Sequence, residues 1–224
     1  PEGGILRGRV HVVLEGDATP PPGGAVQVVL GTGEIAEGGW GDGAHPSTAL
    51  CLEWLSERGF KEDEAFLDYG CGSGVLAIAA RKLGCPTAVG VDVEYEALDS
   101  AAENAARNGV DVDWVHGRSI IPGMDEYDAV VANILVGQLS RPSMVATLAL
   151  GTKVGGALCL SGIRPDQCEV LERLYAPYYD VASKTFRDPD SYGREYWGSW
   201  ARLILRRKEV DRRELLERIS EDVM

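Results

Sequence analysis

From residue 46 onward, short apolar runs alternate with longer segments whose apolar residues recur every three to four positions. The short runs predict β-strands, and the longer segments predict helices such as the one from Glu94 to Asn108, which ends at Gly109. The predicted strands span 65–69, 87–93, 112–115, 127–132 and 156–160. Repeated alternation of strand and helix predicts an α/β fold, with a parallel sheet covered by helices on both faces.

The alternation stops near the end of the chain. Tyr178 to Arg187 and Glu195 to Arg206 both have the composition of strands, and only the loop 188–193 lies between them. These two runs predict an antiparallel hairpin, which brings the mostly parallel sheet to seven strands. The remaining residues, 209–224, are charged and predict a helix.

The first 45 residues differ in composition, being rich in Gly and Pro. Two β-like runs, Gly8 to Leu14 and Ala25 to Leu30, predict a short hairpin. We therefore divide the chain into an N-terminal hairpin with a Gly-rich lead-in (1–45), a main α/β domain (46–208) and a charged C-terminal helix (209–224).

The ends of the first two predicted strands carry the residues of a cofactor site. The first is followed by D-Y-G-C-G-S-G over 68–74, whose glycines permit a sharp turn and close approach of a ligand to a helix N-terminus. The second ends at Asp92, whose carboxylate can accept hydrogen bonds from both hydroxyls of a ribose. Together they predict a site for an adenosine-containing cofactor. The candidate residues are Asp68, Gly70, Gly72, Gly74, Asp92 and Val93.

Two classes of cofactor fit this loop. Gly72 to Ala77 matches G-x-G-x-x-A, and Asp92 follows by about 20 residues, which is the fingerprint of a dinucleotide site such as that of an NAD-dependent oxidoreductase. Asp68 would repel a pyrophosphate, however, and would attract the ammonium group of a bound amino acid. S-adenosyl-L-methionine has a ribose and an amino acid but no phosphate, and it is therefore favoured.

The next two strand ends add candidate contacts. Asn133 follows the fourth strand, and its amide oxygen could accept a hydrogen bond from a substrate N–H, so it is both a cofactor and a catalytic candidate; its alternative role is to tie down the loop. Ile134 and Leu135 stand after it, in place of the aromatic residue with which enzymes acting on nucleobases stack the base. Ser119 follows the third strand and is a candidate adenine contact.

Several conspicuous side chains have simpler interpretations. His45 could be a general base, but a histidine before a proline is more commonly a hydrogen-bond donor that fixes a loop. Trp197 and Trp200 have strand spacing and are interpreted as hairpin core. Cys71 lies in the glycine loop, and nothing near it in the sequence marks it as a nucleophile.

Charge and cysteine content restrict the partners. Lys plus Arg number 22 and Asp plus Glu 35, a net charge of −13 that opposes nucleic-acid binding and suits a basic protein or peptide substrate. No apolar run approaches the ~18 residues of a membrane span. The five cysteines include no C-x-x-C pair, so neither a disulfide framework nor a metal site is expected. They favour a reducing compartment, either the cytoplasm or an organelle with a reducing interior.

One longer segment resembles a known family. Residues 40–55, W-G-D-G-A-H-P-S-T-A-L-C-L-E-W-L, closely resemble the F-G-T-G-T-H-P-T-T-A-L-C-L-x-W-L segment of the bacterial ribosomal-protein methyltransferases that trimethylate large-subunit protein eleven. The resemblance extends over about 35–165. It implies a Rossmann-like class I methyltransferase that uses S-adenosyl-L-methionine to methylate a protein amine, on a lysine or an α-amino group. It also implies that Thr48, Gly70, Asp92 and Asn133 line the cofactor site.

The resemblance leaves the target protein open. The family's substrate-recognition domain precedes this segment and is not recognisable in the residues before it here. Trp40 and Asp42 also depart from the family's phenylalanine and threonine. The alternatives are an NAD-dependent oxidoreductase, a small-molecule N-methyltransferase and a non-catalytic module that retains the cofactor fold.

Overall fold

The structure is a computed structural model that describes residues 3–32, 43–117, 126–190, 198–211, 213 and 215–217. A 3-10 turn, Pro165–Gln167, precedes the last of its helices. In chain order, the strands and helices are β1 (Ile5–Arg7), β2 (Val10–Leu14), β3 (Val26–Leu30), α1 (Pro46–Arg58), β4 (Ala65–Tyr69), α2 (Val75–Lys82), β5 (Thr87–Asp92), α3 (Tyr95–Asn108), β6 (Asp113–His116), β7 (Tyr127–Asn133), α4 (Val136–Leu139), α5 (Pro142–Gly151), β8 (Thr152–Ile163), α6 (Cys168–Tyr175), β9 (Tyr179–Arg187) and β10 (Trp200–Arg207).

A seven-stranded sheet forms the centre of the molecule, with strand order β6-β5-β4-β7-β8-β10-β9. The first five strands in this order, β6, β5, β4, β7 and β8, are parallel to one another. Strand β10 lies between β8 and β9 and is antiparallel to both. The predicted mostly parallel sheet with a C-terminal antiparallel hairpin is therefore confirmed. The first residues of the predicted last strand and most of the predicted helix 209–224 lie outside the described residues.

Helices cover both faces of this sheet, as the alternation of strand and helix predicts. Neighbouring residues of one strand point to opposite faces, so Phe66 belongs to the core under α1 and α2, whereas Leu67 belongs to the core under α4, α5 and α6. Val131 and Val130 of β7 divide in the same way. Continuous apolar strands are required because both faces of such a sheet are buried.

The N-terminal residues form a second, three-stranded sheet, and the hairpin predicted for 8–14 and 25–30 is wrong. Strands β2 and β3 pair in parallel, with Val10 opposite Val26, and it is β1 that pairs antiparallel with β2. A parallel pair needs a connection of about a dozen residues to return the chain to the same end, and the Pro-rich segment between β2 and β3 provides one. The boundaries proposed at residues 45 and 208 stay predictions.

Two asparagines of α3 attach this small sheet to the main domain. Asn108 donates from Nδ2 to the Val29 carbonyl oxygen at 2.7 Å and accepts the Val29 N–H at 2.8 Å, so it pairs with β3 as a neighbouring strand would. Asn104 accepts the Gly31 N–H at 2.8 Å. Both asparagines are buried, whereas Ala102 and Ala106, which the apolar pattern also places on the buried face, are exposed.

Two further observations bear on environment. In the described part of the chain, none of the helices has the length and apolarity of a membrane span. All five cysteines are free and buried.

Candidate functional site

The predicted site residues meet where the strand order of the sheet reverses. Strand β4 lies between β5 and β7, so successive strands are added on its two sides, and open α/β sheets bind ligands in the crevice outside the carboxyl ends of the strands at such a point. Asp68 lies near the end of β4, Asp92 ends β5, and Asn133 ends β7. The structure thus brings together residues that are far apart in the sequence.

The glycine loop after β4 depends on its glycines at three positions. Gly70, Gly72 and Gly74 have φ values of +81°, +51° and +77°, in the left-handed region that other residues rarely adopt. A Cβ on Gly70 would clash with the side chain of Ile134, and one on Gly74 would lie 2.6 Å from the Trp114 ring. On Gly72, by contrast, a Cβ would have no described atom within 4 Å. The loop is therefore packed at its two ends and open at Gly72.

Asp92 holds this loop through hydrogen bonds to backbone N–H groups. Its Oδ2 accepts the Gly72 N–H at 2.9 Å, and its Oδ1 accepts the N–H groups of Val93 at 2.7 Å and Glu94 at 3.1 Å. These bonds fix the carboxylate relative to the open part of the loop. Val93 is 51% exposed, so an apolar surface lies directly beside the acid.

Asp68 is fully buried against the first turn of α2. Its Oδ2 accepts the Ala77 N–H at 3.2 Å in the first turn of α2, where the helix dipole favours a negative charge. Its Oδ1 has no hydrogen-bond partner in the described ranges. Desolvation raises the pKa of Asp68 to about 7, against the effect of the Ala77 N–H and with a smaller contribution from Asp92. Asp68 therefore caps α2, and its contact with a cofactor stays a prediction.

Asn133 presents a buried amide oxygen at the edge of the loop. Its Nδ2 donates to Thr48 Oγ1 at 3.4 Å, which links the end of β7 to the first turn of α1. Its Oδ1 is buried, and no described residue donates to it. An unsatisfied buried acceptor costs about 1–3 kcal/mol, and such a cost is explained when a ligand supplies the missing donor. The arrangement suits an acceptor for a substrate N–H.

His45 caps the N-terminus of helix α1. Its Nδ1 accepts the Ser47 N–H at 3.3 Å and lies 2.8 Å from Ser47 Oγ, so this nitrogen caps the helix, and the loop-fixing role of the ring as a donor stays a prediction. The Trp200 ring packs edge-on against the His45 ring, with 4.4 Å between the ring centroids. The guanidinium carbon of Arg164 lies 4.1 Å from the centroid of the Trp200 ring. These contacts support the structural interpretation of both rings.

Sequence reasoning missed a glycine, Gly162, that packs against the backbone after Asn133. It also gave no indication of the exposure of Leu135. Gly162 has φ +75°, and a Cβ there would lie 2.6 Å from the Ile134 carbonyl oxygen, so it leaves room for the backbone after Asn133. Its position near the end of a predicted strand was the available signal. Leu135 is 61% exposed and stands at the start of α4.

Of the remaining residues that the sequence singled out, the structure describes Cys71, whereas others lie outside the described residues. Burial, with further contributions from Asp68 and Asp92, raises the pKa of the Cys71 thiol well above its usual range. Cys71 is therefore a neutral thiol, as its interpretation requires. Ser119 and Trp197 lie outside the described residues, and so do Trp40 and Asp42.

The strand order and the strand-end residues define a class I methyltransferase fold. Among solved structures, a ribosomal protein L11 methylase from Lactobacillus delbrueckii subsp. bulgaricus matches with a TM-score of 0.72 and 27% identity, over 89% of this chain and 94% of that one. A SAM-dependent methyltransferase from Methanosarcina mazei shares the fold, with a TM-score of 0.57 and 15% identity over 69% of this chain and 97% of that one.

Sequence comparison identifies the family within this class. Residues 18–190 match the model of the family described as ribosomal protein L11 methyltransferase (PrmA). Proteins of that name from Methylobacillus flagellatus and Neisseria gonorrhoeae are 39% and 42% identical, each over 82% of this chain and over 59% and 56% of their own length. The chain belongs to the ribosomal protein L11 methyltransferase family. It spans little more than half the length of these relatives.

Proposed function

We propose that this chain is an S-adenosyl-L-methionine-dependent methyltransferase that acts on a protein amine, on a lysine side chain or an α-amino group. The family and the class I fold support methyl transfer over the NAD-dependent alternative. The observation that carries the proposal is the buried Asn133 amide oxygen, for which the described residues provide no donor, at the edge of the glycine loop.

The described residues fit S-adenosyl-L-methionine. The space at Gly72 admits a ligand to the backbone, and the Asp92 carboxylate is fixed beside it to accept ribose hydroxyls. When bound, the cofactor supplies an electrophilic methyl group. The residues proposed to hold it are Thr48, Asp68, Gly70, Gly72, Gly74, Asp92, Val93, Ser119 and Asn133.

The residues of this chain then have to present a neutral amine in the correct orientation. Deprotonating a lysine of pKa ≈ 10.4 at pH 7 costs about 4.6 kcal/mol, so the site must favour the uncharged form. Asn133 Oδ1 accepts one amine N–H and thereby directs the nitrogen lone pair, while Thr48 fixes the Asn133 amide. Ile134 and Leu135 provide apolar surface next to it, and solvent takes the proton. Alignment of this kind supplies much of the rate in a direct displacement.

The proposed substrate is a basic protein or peptide. The relatives are named for ribosomal protein L11, which makes that protein the first substrate to test. A net charge of −13 opposes a phosphate backbone and attracts a lysine-rich surface. Asn133-Ile134-Leu135 lacks the aromatic residue that would stack on a flipped base. The free, buried cysteines support a reducing compartment.

The test combines ligand binding with methyl transfer. Calorimetry with S-adenosylhomocysteine and with NAD should show binding of the first only, and radiolabelled cofactor should label a protein in a cell extract or purified ribosomal protein L11. Asn133→Ala should lower the transfer rate by about 100-fold or more, while the affinity for S-adenosylhomocysteine changes far less.

Each result has a defined meaning. Binding of NAD alone would favour the oxidoreductase. Binding of S-adenosylhomocysteine without label in any fraction would indicate a non-catalytic module, and label only in small molecules would indicate a small-molecule methyltransferase. If Asn133→Ala lowers affinity as much as rate, Asn133 is a cofactor ligand or a structural tie and the proposed role is wrong.

A further inference from the structure

The side chain of Arg7 in β1 joins separate segments of the chain next to the candidate site. It is only 3% exposed. Its Nε donates to the Gly43 carbonyl oxygen at 3.0 Å, and its Nη2 lies 3.5 Å from the Ala44 carbonyl oxygen. On its other side, the guanidinium forms a two-pronged ion pair with Asp190, beyond the end of β9.

The ion pair continues into α1. Asp190 Oδ2 also accepts from Arg187 Nη2 at 2.9 Å, and Arg187 Nη1 donates to Glu53 Oε1 at 2.6 Å. Glu53 lies in the middle of α1, whereas Gly43 and Ala44 directly precede it. One charged network therefore holds the helix both before its first turn and at its centre.

The turn after β1 presses on the same helix. Gly8 has φ +57°, and a Cβ there would lie 2.7 Å from Ser56 Oγ, so the turn approaches α1 closely. The Arg9 N–H donates to Ser56 Oγ at 3.0 Å. Strand β1 is thus fixed against the second half of α1, and Arg7 extends from this fixed strand toward the start of the helix.

We propose that Arg7 is a positioning residue that sets where α1 begins and so places Thr48 opposite Asn133. Ala44 directly precedes His45, the capping residue of α1, and Thr48 follows one turn later. A buried guanidinium must keep its donors paired, and its planar fork fixes the directions of its bonds. Arg7 lies before residues 18–190, the part of the chain that matches the family model.

The test compares variants of two arginines that both serve α1. Arg7→Met removes the contacts of Arg7 with Gly43, Ala44 and Asp190, and Arg7→Lys retains the charge without the fork. Arg58→Met is the matched control, because Arg58 pairs with Glu64 at the far end of the same helix. Hydrogen exchange of peptides covering 44–52 reports the start of α1 without any ligand. Titration with S-adenosylhomocysteine reports the cofactor site, and this second readout rests on the proposed function.

In the Arg7→Met protein, the amide hydrogens of residues 44–52 should exchange faster than in the wild type. This protein should also bind S-adenosylhomocysteine about tenfold more weakly. Arg7→Lys should fall between it and the wild type, because a point charge cannot bridge the same acceptors. Arg58→Met should lower the melting temperature but leave exchange over 44–52 and ligand affinity within about twofold of wild type.

A folded Arg7→Met protein with wild-type exchange over 44–52 would overturn the inference, as would equal changes in Arg58→Met. If Arg7→Met does not fold, Asp190→Asn, which keeps the shape and removes the charge, is judged by the same criterion. If the wild-type protein binds no S-adenosylhomocysteine, the proposed function fails, while the exchange data still decide the role of Arg7.

Discussion

The Asp92 carboxylate accepts the Gly72 N–H, and we propose that it also accepts the hydroxyls of a ribose. Asp92→Ala removes both sets of charge-assisted hydrogen bonds and should weaken S-adenosylhomocysteine binding by about 2–4 kcal/mol. Calorimetry measures this change directly. Asp99→Ala on α3 is the control, since it deletes an exposed acid of the same charge. Wild-type affinity in a folded Asp92→Ala protein would contradict the assignment.

The buried carboxyl of Asp68 makes stability depend on pH. Its pKa is raised from 3.8 to about 7, mainly by desolvation, so the folded state binds a proton that the unfolded state releases. The stabilisation of the folded state by this bound proton is fully present below about pH 3.8 and is lost as the pH rises to about 7. Over this range the free energy of unfolding falls by up to ~1.4 kcal/mol per pH unit.

Asp68→Asn removes the titrating group and should remove this slope. Urea denaturation of both proteins at several values between pH 4 and pH 8 gives the difference in their free energies of unfolding. We expect wild type to lose stability relative to Asp68→Asn as the pH rises. A difference that stays constant over this range would show that the Asp68 pKa is not raised.

At the scale of elements, α3 both covers the main sheet and completes the small one. Asn108 makes two hydrogen bonds to the backbone of Val29 and one to the Asn104 carbonyl oxygen at 2.7 Å. Asn108→Ala leaves the Val29 groups without these partners and should lower the free energy of unfolding by about 2–3 kcal/mol. Urea denaturation measures the loss.

Glu103→Ala is the matched control for this prediction, because Glu103 is exposed on the same helix. The free energy of unfolding of this variant should stay within about 0.5 kcal/mol of the wild-type value. Equal losses in the two variants would mean that Asn108 does not attach β3. Hydrogen exchange of residues 26–30 offers a second check, since it should increase in Asn108→Ala alone.

The same helix shows what the sequence could and could not predict. The main strands were predictable because each is a short apolar run buried on both faces, and the strand-end rule then located Asp92 and Asn133. The burial of Asn108 was not predictable, because periodicity ranks an asparagine as polar and its partner Val29 is 79 residues away. Strands β2 and β3 pair in parallel, although the Pro-rich segment between them has the local pattern of a hairpin turn.

The role of Arg7 was hidden for a similar reason. Its partners Gly43 and Asp190 lie 36 and 183 positions away, and a single arginine in a short strand carries no motif. The glycine loop, in contrast, carries its function within seven consecutive residues, 68–74, because turn geometry is local. Local chemistry was therefore accessible from the sequence, whereas long-range charge pairing required the fold.

At the scale of the whole molecule, the net charge of −13 favours the basic protein substrate that we propose. Attraction between this acidic protein and a basic substrate should weaken with salt, since the Debye length falls from about 10 Å at 0.1 M to about 3 Å at 1 M. We expect the KM for a basic protein substrate to rise strongly over this range. The affinity for S-adenosylhomocysteine, measured at the same salt concentrations, should change much less and serves as the control.

The same charge argument predicts the chemical nature of the methylated target. In an extract treated with labelled cofactor, label should be lost with protease and retained with nuclease, because the phosphate backbone is repelled and no aromatic residue follows Asn133 to stack on a base. Labelling at 0.1 M salt should exceed labelling at 1 M, where screening removes the attraction. Label that survives protease but disappears with nuclease would show a nucleic-acid substrate.

A KM that is independent of salt would show that the acidic surface takes no part in substrate binding.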